Sequence, residues 1–115
     1  MPVHLVTATT EAFGALTRAL ERAIGIDNPE LGELMNRSRR VDVVAPSPRA
    51  ALDQLAKAAT TLADRVEHVP LRDWDRPATE GGAPIDALDV LREAVAVART
   101  NLDALPAALE AQRRS

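Results

Sequence analysis

Two long segments carry the same spacing of apolar residues, and this spacing limits the fold more than any other feature of the chain. The apolar residues of the first segment are Leu52, Leu55, Ala59, Leu62, Val66 and Val69; those of the second are Leu88, Leu91, Val95, Ala98, Leu102 and Leu105. Alternating steps of three and four place such residues on one face of an α-helix. Two helices with matched faces, joined by a loop, are predicted to pack antiparallel.

The limits of these two helices can also be read from the sequence. Ser47 followed by Pro48 is an N-cap with proline at the first helical position, and Pro70 is expected to stop that helix. Asp86 is expected to cap the second helix. Pro106 predicts a kink or a new turn there, Leu109 continues the apolar stripe, and residues 112–115 are expected to fray.

A third amphipathic helix is predicted over residues 3–24. Gly25 is placed to end it in a left-handed cap, and Gly14 in its middle suggests close packing against a neighbour. Its apolar stripe contains Leu5, Thr9, Ala12, Phe13, Leu16, Ala19, Leu20, Ala23 and Ile24.

The two connecting segments have less regular patterns. Asn28 and Pro29 predict the start of a short helix that ends near Ser38, with Leu31, Leu34 and Met35 on its apolar side. The short β-branched run Val41, Val43 and Val44 is interpreted as an extended loop. Residues 73–84 are rich in Pro, Gly and Asp, which is typical of a loop.

Composition fixes the fold class. Hydrophobic residues make up 46% of the 115 residues but aromatic residues only 2%, so the core must be built from Leu, Val and Ala. This favours helices over a sheet. We therefore predict one all-α domain over residues 1–115: an up-and-down bundle with three long helices and a short or irregular fourth element, an irregular connection over 26–46 and a Trp/Pro/Gly loop over 70–85.

Charge and cysteine content exclude several classes of function. The net charge is −3 and no basic stripe is present, which argues against nucleic-acid binding. There is no cysteine, so disulfides and Cys-ligated metals are excluded, and this fits a cytoplasmic protein. We find no signal peptide and no segment of membrane-spanning length, so no membrane partner is expected.

The second half of the chain resembles a known family. A helix with Leu spacing, the sequence Trp74-Asp75-Arg76-Pro77, the Gly81-Gly82 turn and a last helix are similar to the DinB-like superfamily, which includes the N-terminal domains of mycothiol-dependent maleylpyruvate isomerases. The resemblance covers residues 50–109 and implies a four-helix bundle, often dimeric, with a divalent metal held by three His. His4, followed by Leu5, matches the first of these ligands.

The other two ligand positions depart from the family. The residues that match the two His of the last helix are Val97 and Asn101. Valine cannot bind a metal, and an amide is a poor transition-metal ligand compared with imidazole. The resemblance therefore implies a shortened relative without metal or cofactor, and we predict no metal ligands.

Three residues are candidates for lining a ligand pocket: His4, Trp74 and Asn101. Two of them have a structural alternative: His4 as an exposed terminal residue, and Trp74 as a plug at the end of the helices. His68 could approach His4 in space or lie at a helix C-terminus, where its charge is favoured. No group of acid, base and nucleophile is recognisable, so no catalytic residues are predicted and an enzyme is the least supported class.

Two functions remain open from the sequence. One is a metal-free DinB-like protein that binds a small apolar or thiol-bearing ligand, and the other is a helical interaction or dimerisation module. A pocket near Trp74 and His4 would favour the first, and an exposed apolar face the second. A homodimer is predicted in both cases, with the broad stripe of the first helix buried against its symmetry mate.

Overall fold

The computed structural model describes residues 3–40, 47–104 and 110, and this part of the chain is mostly helical with one small two-stranded sheet. The helices are α1 (Val3–Gly25), α2 (Gly32–Ser38), α3 (Pro48–Glu67) and α4 (Ala87–Asp103), and the strands are β1 (Pro77–Glu80) and β2 (Ala83–Asp86). The predictions for Val41, Val43, Val44, Leu105, Pro106, Leu109 and residues 112–115 lie outside the described residues.

Helix α1 is the centre of the fold. Its buried residues include the consecutive run 6–9, which points to all sides of the helix, so that α1 is surrounded there. Further along the helix, one face with Glu11, Gly14 and Arg18 is exposed. Helices α2, α3 and α4 each pack against α1. The three largest fully buried side chains are Leu16 and Leu20 of α1 and Leu31, the residue before α2, all with at most 1% of their surface exposed.

Contacts at one end of α1 fix the directions of α3 and α4. The Nε atom of Arg65, near the end of α3, lies 2.7 Å from the Glu21 carboxylate near the end of α1. Arg76, which precedes α4 along the chain, donates from Nε to the Ala23 carbonyl oxygen at 3.3 Å. The C-terminus of α3 and the N-terminus of α4 therefore both lie at the C-terminal end of α1, so that α3 and α4 run antiparallel to each other.

The prediction that α3 and α4 pack on each other is wrong. Both rest on α1 and, within their described residues, scarcely touch. The physical reason is that α1 is apolar around most of its circumference and takes up one edge of each stripe. The remaining edges stay in solvent, where Leu52 of α3 and Val95 of α4 are each 49% exposed.

The helix limits follow the capping residues. Ser47 accepts a hydrogen bond from the Ala50 amide at 3.4 Å, with Pro48 in the first turn, as predicted. Asp86 and Asp89 form a reciprocal capping box: Asp86 accepts from the Asp89 amide at 2.9 Å, and Asp89 accepts from the Asp86 amide at 3.0 Å. Each such cap satisfies amides that a helix end leaves without partners.

Much of the predicted loop over 70–85 is an antiparallel β-hairpin, which spans residues 77–86 and in which Thr79 pairs with Pro84. Gly81 and Gly82 make its turn with φ of 59° and 85°, values at which side chains other than glycine are strained. The prolines of this segment suggested a loop, but a short edge strand tolerates a residue that lacks a backbone N–H.

The short second helix starts later than the sequence predicts. Pro29 and Glu30 are extended against the hairpin, with Glu30 in a parallel bridge to Thr79, and α2 begins only at Gly32. Asn28 has a φ of 45° and Gly25 does not have a positive φ, so the left-handed residue lies three positions after the one predicted. Gly14 is exposed and has no close neighbour, contrary to prediction.

Candidate functional site

The gap between α3 and α4 forms an apolar groove with a volume of about 410 Å³. Helix α1 supplies its floor through Phe13, and among the described residues Glu67 is the only charged one in its lining. Because the two walls run antiparallel, Val66 and Leu91 lie towards one end of the groove, and Ala59 and Ala98 lie towards the other. The lining residues are Phe13, Ala59, Leu62, Ala63, Val66, Glu67, Leu91, Ala94, Val95 and Ala98.

The burial of the apolar side chains determines where an interface with a second copy can form. The predicted dimer surface on α1 is not available, because Leu16 and Leu20 are 0% and 1% exposed within the chain itself. A surface that is already covered cannot be buried again by a second copy. The large apolar side chains left exposed among the described residues are Leu52 on α3 and Val95 on α4, together with Ile26 and Leu71 outside the four α-helices.

The three pocket candidates lie apart. Trp74 is near the C-terminal end of α1, since neighbouring Arg76 contacts Ala23. His4 lies nineteen residues before Ala23 along the helix, which corresponds to roughly 28 Å at the rise of an α-helix. His4 is exposed and Trp74 is partly buried against the core. The pocket expected between these two residues does not form.

Asn101 belongs to a separate, smaller and more polar depression of about 200 Å³. It is 7% exposed and shares this depression with Val97, the other position at which the resembled family has a ligand. Arg39, Arg40 and Glu93 supply charge there. Among residues 3–40, 47–104 and 110, no three Asp, Glu or His side chains converge as a metal site would require.

Arg39 joins three elements beside this depression. It follows α2, its Nη1 lies 3.0 Å from Glu80 of the hairpin, and its Nε lies 2.7 Å from Glu93 of α4. Hydrogen bonds to Glu80 and then Glu93 raise the pKa of the guanidinium above its usual range. Because the guanidinium is paired with both carboxylates, we assign Arg39 a structural role.

His68 occupies the position expected for a helix-terminal cation and does not approach His4. It caps the C-terminus of α3, and its Nδ1 lies 2.7 Å from the Asp64 carbonyl oxygen. This contact, followed by the nearby Asp64 carboxylate, raises the pKa of the imidazole. It shares a depression with Leu20 and Ile24, near the end of α1 opposite His4.

Sequence reasoning missed Glu30, whose carboxylate holds the hairpin to the start of α2. Its Oε1 accepts from the amides of Gly81 at 2.7 Å and Gly32 at 2.9 Å. Its Oε2 accepts from the Thr79 hydroxyl at 2.6 Å and the Gly82 amide at 3.4 Å. No local signal could identify it, because the donors of the hairpin lie about fifty positions away along the chain.

These four donors lower the pKa of Glu30 from 4.5 to about 2, with the Thr79 hydroxyl as the largest cause. A lowered pKa in the folded state stabilises the fold above the unfolded value, and this contribution is lost as pH falls from 4.5 towards 2. We therefore expect Glu30→Gln to destabilise the protein at neutral pH, and the difference from the parent protein to shrink through that window. Urea unfolding over a pH series measures this directly.

The matched control is Glu33→Gln, because Glu33 is also in this region but its carboxylate is 86% exposed in a pair with Arg37. Its stability difference from the parent should stay small throughout. Parallel pH curves for the parent protein and Glu30→Gln would contradict the assigned role of Glu30.

Comparison with known proteins adds no relative. No protein-family model matches the chain, and no curated protein or solved structure is detectably similar to it. None of the helices in the described part of the chain combines the length and apolar character needed to cross a bilayer.

Proposed function

We propose that this protein is a helical interaction module in which the α3–α4 groove receives the apolar face of another amphipathic helix. The observation that carries the proposal is that two apolar stripes of matched spacing stand apart on α1. Each leaves a large side chain half exposed, Leu52 on α3 and Val95 on α4. Recognition of a helix in an apolar groove is a common way to cover such a surface.

The residues that line the groove fit this type of occupant. Ala59, Ala63, Ala94 and Ala98 are small, which lets a helix approach the walls closely, and Leu62, Val66 and Leu91 provide apolar area. The architecture that we propose is an up-and-down bundle that is open on one side. Its support is the antiparallel course of α3 and α4 on a common central helix. The proposal includes a cytoplasmic location, supported by the lack of cysteine.

A small apolar or thiol-bearing ligand in the same groove is the second candidate function, as the DinB-like resemblance implies. One observation favours it: a volume of about 410 Å³ lies within the range of about 300 to 1,000 Å³ that is usual for small-molecule sites. Val97 and Asn101, at the family's ligand positions, line a different depression, so the groove would act without them.

We expect a synthetic amphipathic helix, with Leu and Ala on one face and Lys and Glu on the other, to bind the groove of the dilute protein. In a titration of the ¹⁵N-labelled protein, amide shifts should concentrate at Leu62, Val66 and Val95. Val95→Glu should weaken binding about tenfold or more, because it places a charge in the apolar contact. The introduced carboxylate would lie four residues before Arg99, which is compatible with the helix itself.

The matched control is Thr61→Glu, a change to the same residue on an exposed position of α3 that does not line the groove. It should bind the peptide like the parent protein. Shifts elsewhere, or equal loss of binding in both variants, would overturn the proposal. Binding of the dye 1-anilinonaphthalene-8-sulfonate to the groove without binding of the peptide would instead favour the small-ligand candidate.

A further inference from the structure

The two rims of the groove carry opposite charge. Glu67 lies in the lining of the groove on α3, at the end that holds Val66 and Leu91. On α4, Arg92 and Arg99 are exposed, three positions before and four positions after Val95, and these spacings place them on the same side of the helix as Val95. The rim on α3 is therefore acidic at this end and the rim on α4 is basic.

This pattern is complementary to itself. A partner helix of a single charge sign would match one rim and be repelled by the other. A second copy of this chain presents both signs, and its own exposed apolar stripes also need cover. In a two-fold dimer the same surface is used twice, so each favourable contact between the rims occurs twice.

The charges also select the direction of the two-fold axis. An axis parallel to the helices places α3 of one copy opposite α4 of the other, with acidic residues facing basic ones. An axis perpendicular to the helices places α3 opposite α3 and α4 opposite α4, so that Arg92 and Arg99 of one copy face the same arginines of the other. Glu67 is the last residue of α3 and Arg92 is in the second turn of α4, so both lie towards the same end of the groove, and a parallel axis keeps them at that end.

We propose that a second copy of this chain docks groove to groove about a two-fold axis parallel to α3 and α4, with Arg92 of each copy facing Glu67 of the other. This inference rests on the proposed function, since it names the occupant of the same groove. Within its own chain, Arg92 contacts the Asp89 carboxylate at 3.3 Å. The Arg92 side chain is nevertheless 69% exposed, so it can turn outward towards a second copy.

The test is a charge exchange followed by sedimentation equilibrium over a concentration series. The parent chain should reach the mass of a dimer. Arg92→Glu and Glu67→Arg should each raise the dissociation constant about tenfold or more, because each variant replaces two attractive pairs with two repulsive ones. An equimolar mixture of the two variants should form a heterodimer more tightly than either variant forms a homodimer, because in the mixed dimer both contacts between positions 92 and 67 again join a carboxylate to a guanidinium.

The control is Lys57→Glu, a charge reversal on an exposed position of α3 outside the groove, which should leave the mass unchanged. Circular dichroism checks that every variant is folded. A monomeric parent chain, or single variants that dimerise like the parent, would each overturn the proposal. If the parent is monomeric but the synthetic helix still binds the groove and Val95→Glu still weakens it, only the second-copy proposal fails. If the helix does not bind either, the interaction module fails as well.

Discussion

Leu16→Ala is expected to lower the free energy of unfolding by about 3 kcal/mol, with a fall in melting temperature of roughly 10 °C. Leu16 is fully buried in the middle of the central helix and belongs to the main core cluster, so its truncation leaves a cavity that its neighbours cannot fill. Urea unfolding followed by circular dichroism measures the loss.

The matched control is Leu71→Ala, which removes the same atoms from a side chain that is 91% exposed. We expect no measurable change there, because an exposed leucine gives up little apolar burial when it is truncated. Similar losses at the two positions would contradict the central place of α1. If Leu16→Ala lowered the stability only at protein concentrations at which the chain dimerises, α1 would instead be buried at an interface between two copies.

The helices were predictable where a local signal specifies them. Ser47 and Asp86 accept hydrogen bonds from amides three residues later, and this geometry follows from residue type and spacing alone. The same holds for the stripe of α1. What the stripe could not reveal is how many neighbours it has, because Leu16 and Leu20 are equally consistent with burial in the chain and with burial against a partner.

The hairpin and the groove depend on contacts between distant positions. Glu30 meets the Gly81 and Gly82 amides across about fifty residues, and the pattern around Glu30 by itself suggests only the first turn of a helix. The matched stripes of α3 and α4 indicated the correct antiparallel course but the wrong partner. The spacing of two stripes cannot reveal a third helix that covers one edge of each stripe. Helix α1 covers these edges, and the opposite edges remain exposed along the groove.

Trp74→Ala is expected to lower the free energy of unfolding by about 2 kcal/mol, somewhat less than the change at Leu16. A fully buried aromatic side chain costs about 3 to 5 kcal/mol when truncated to alanine, and Trp74 is only partly buried against the core. The backbone contact of this residue, in which its carbonyl oxygen accepts from the Leu88 amide at 2.9 Å, does not depend on the side chain and should survive.

The control for this change is Trp74→Phe, which keeps an aromatic ring in contact with the core and should cost distinctly less than alanine. Unfolding must be followed by circular dichroism, since Trp74 is the only tryptophan and its fluorescence disappears in both variants. If Trp74→Ala unfolds like the parent protein, the ring does not close the end of the helices. Its partly exposed face would then be available to a ligand, which is the alternative that the sequence left open.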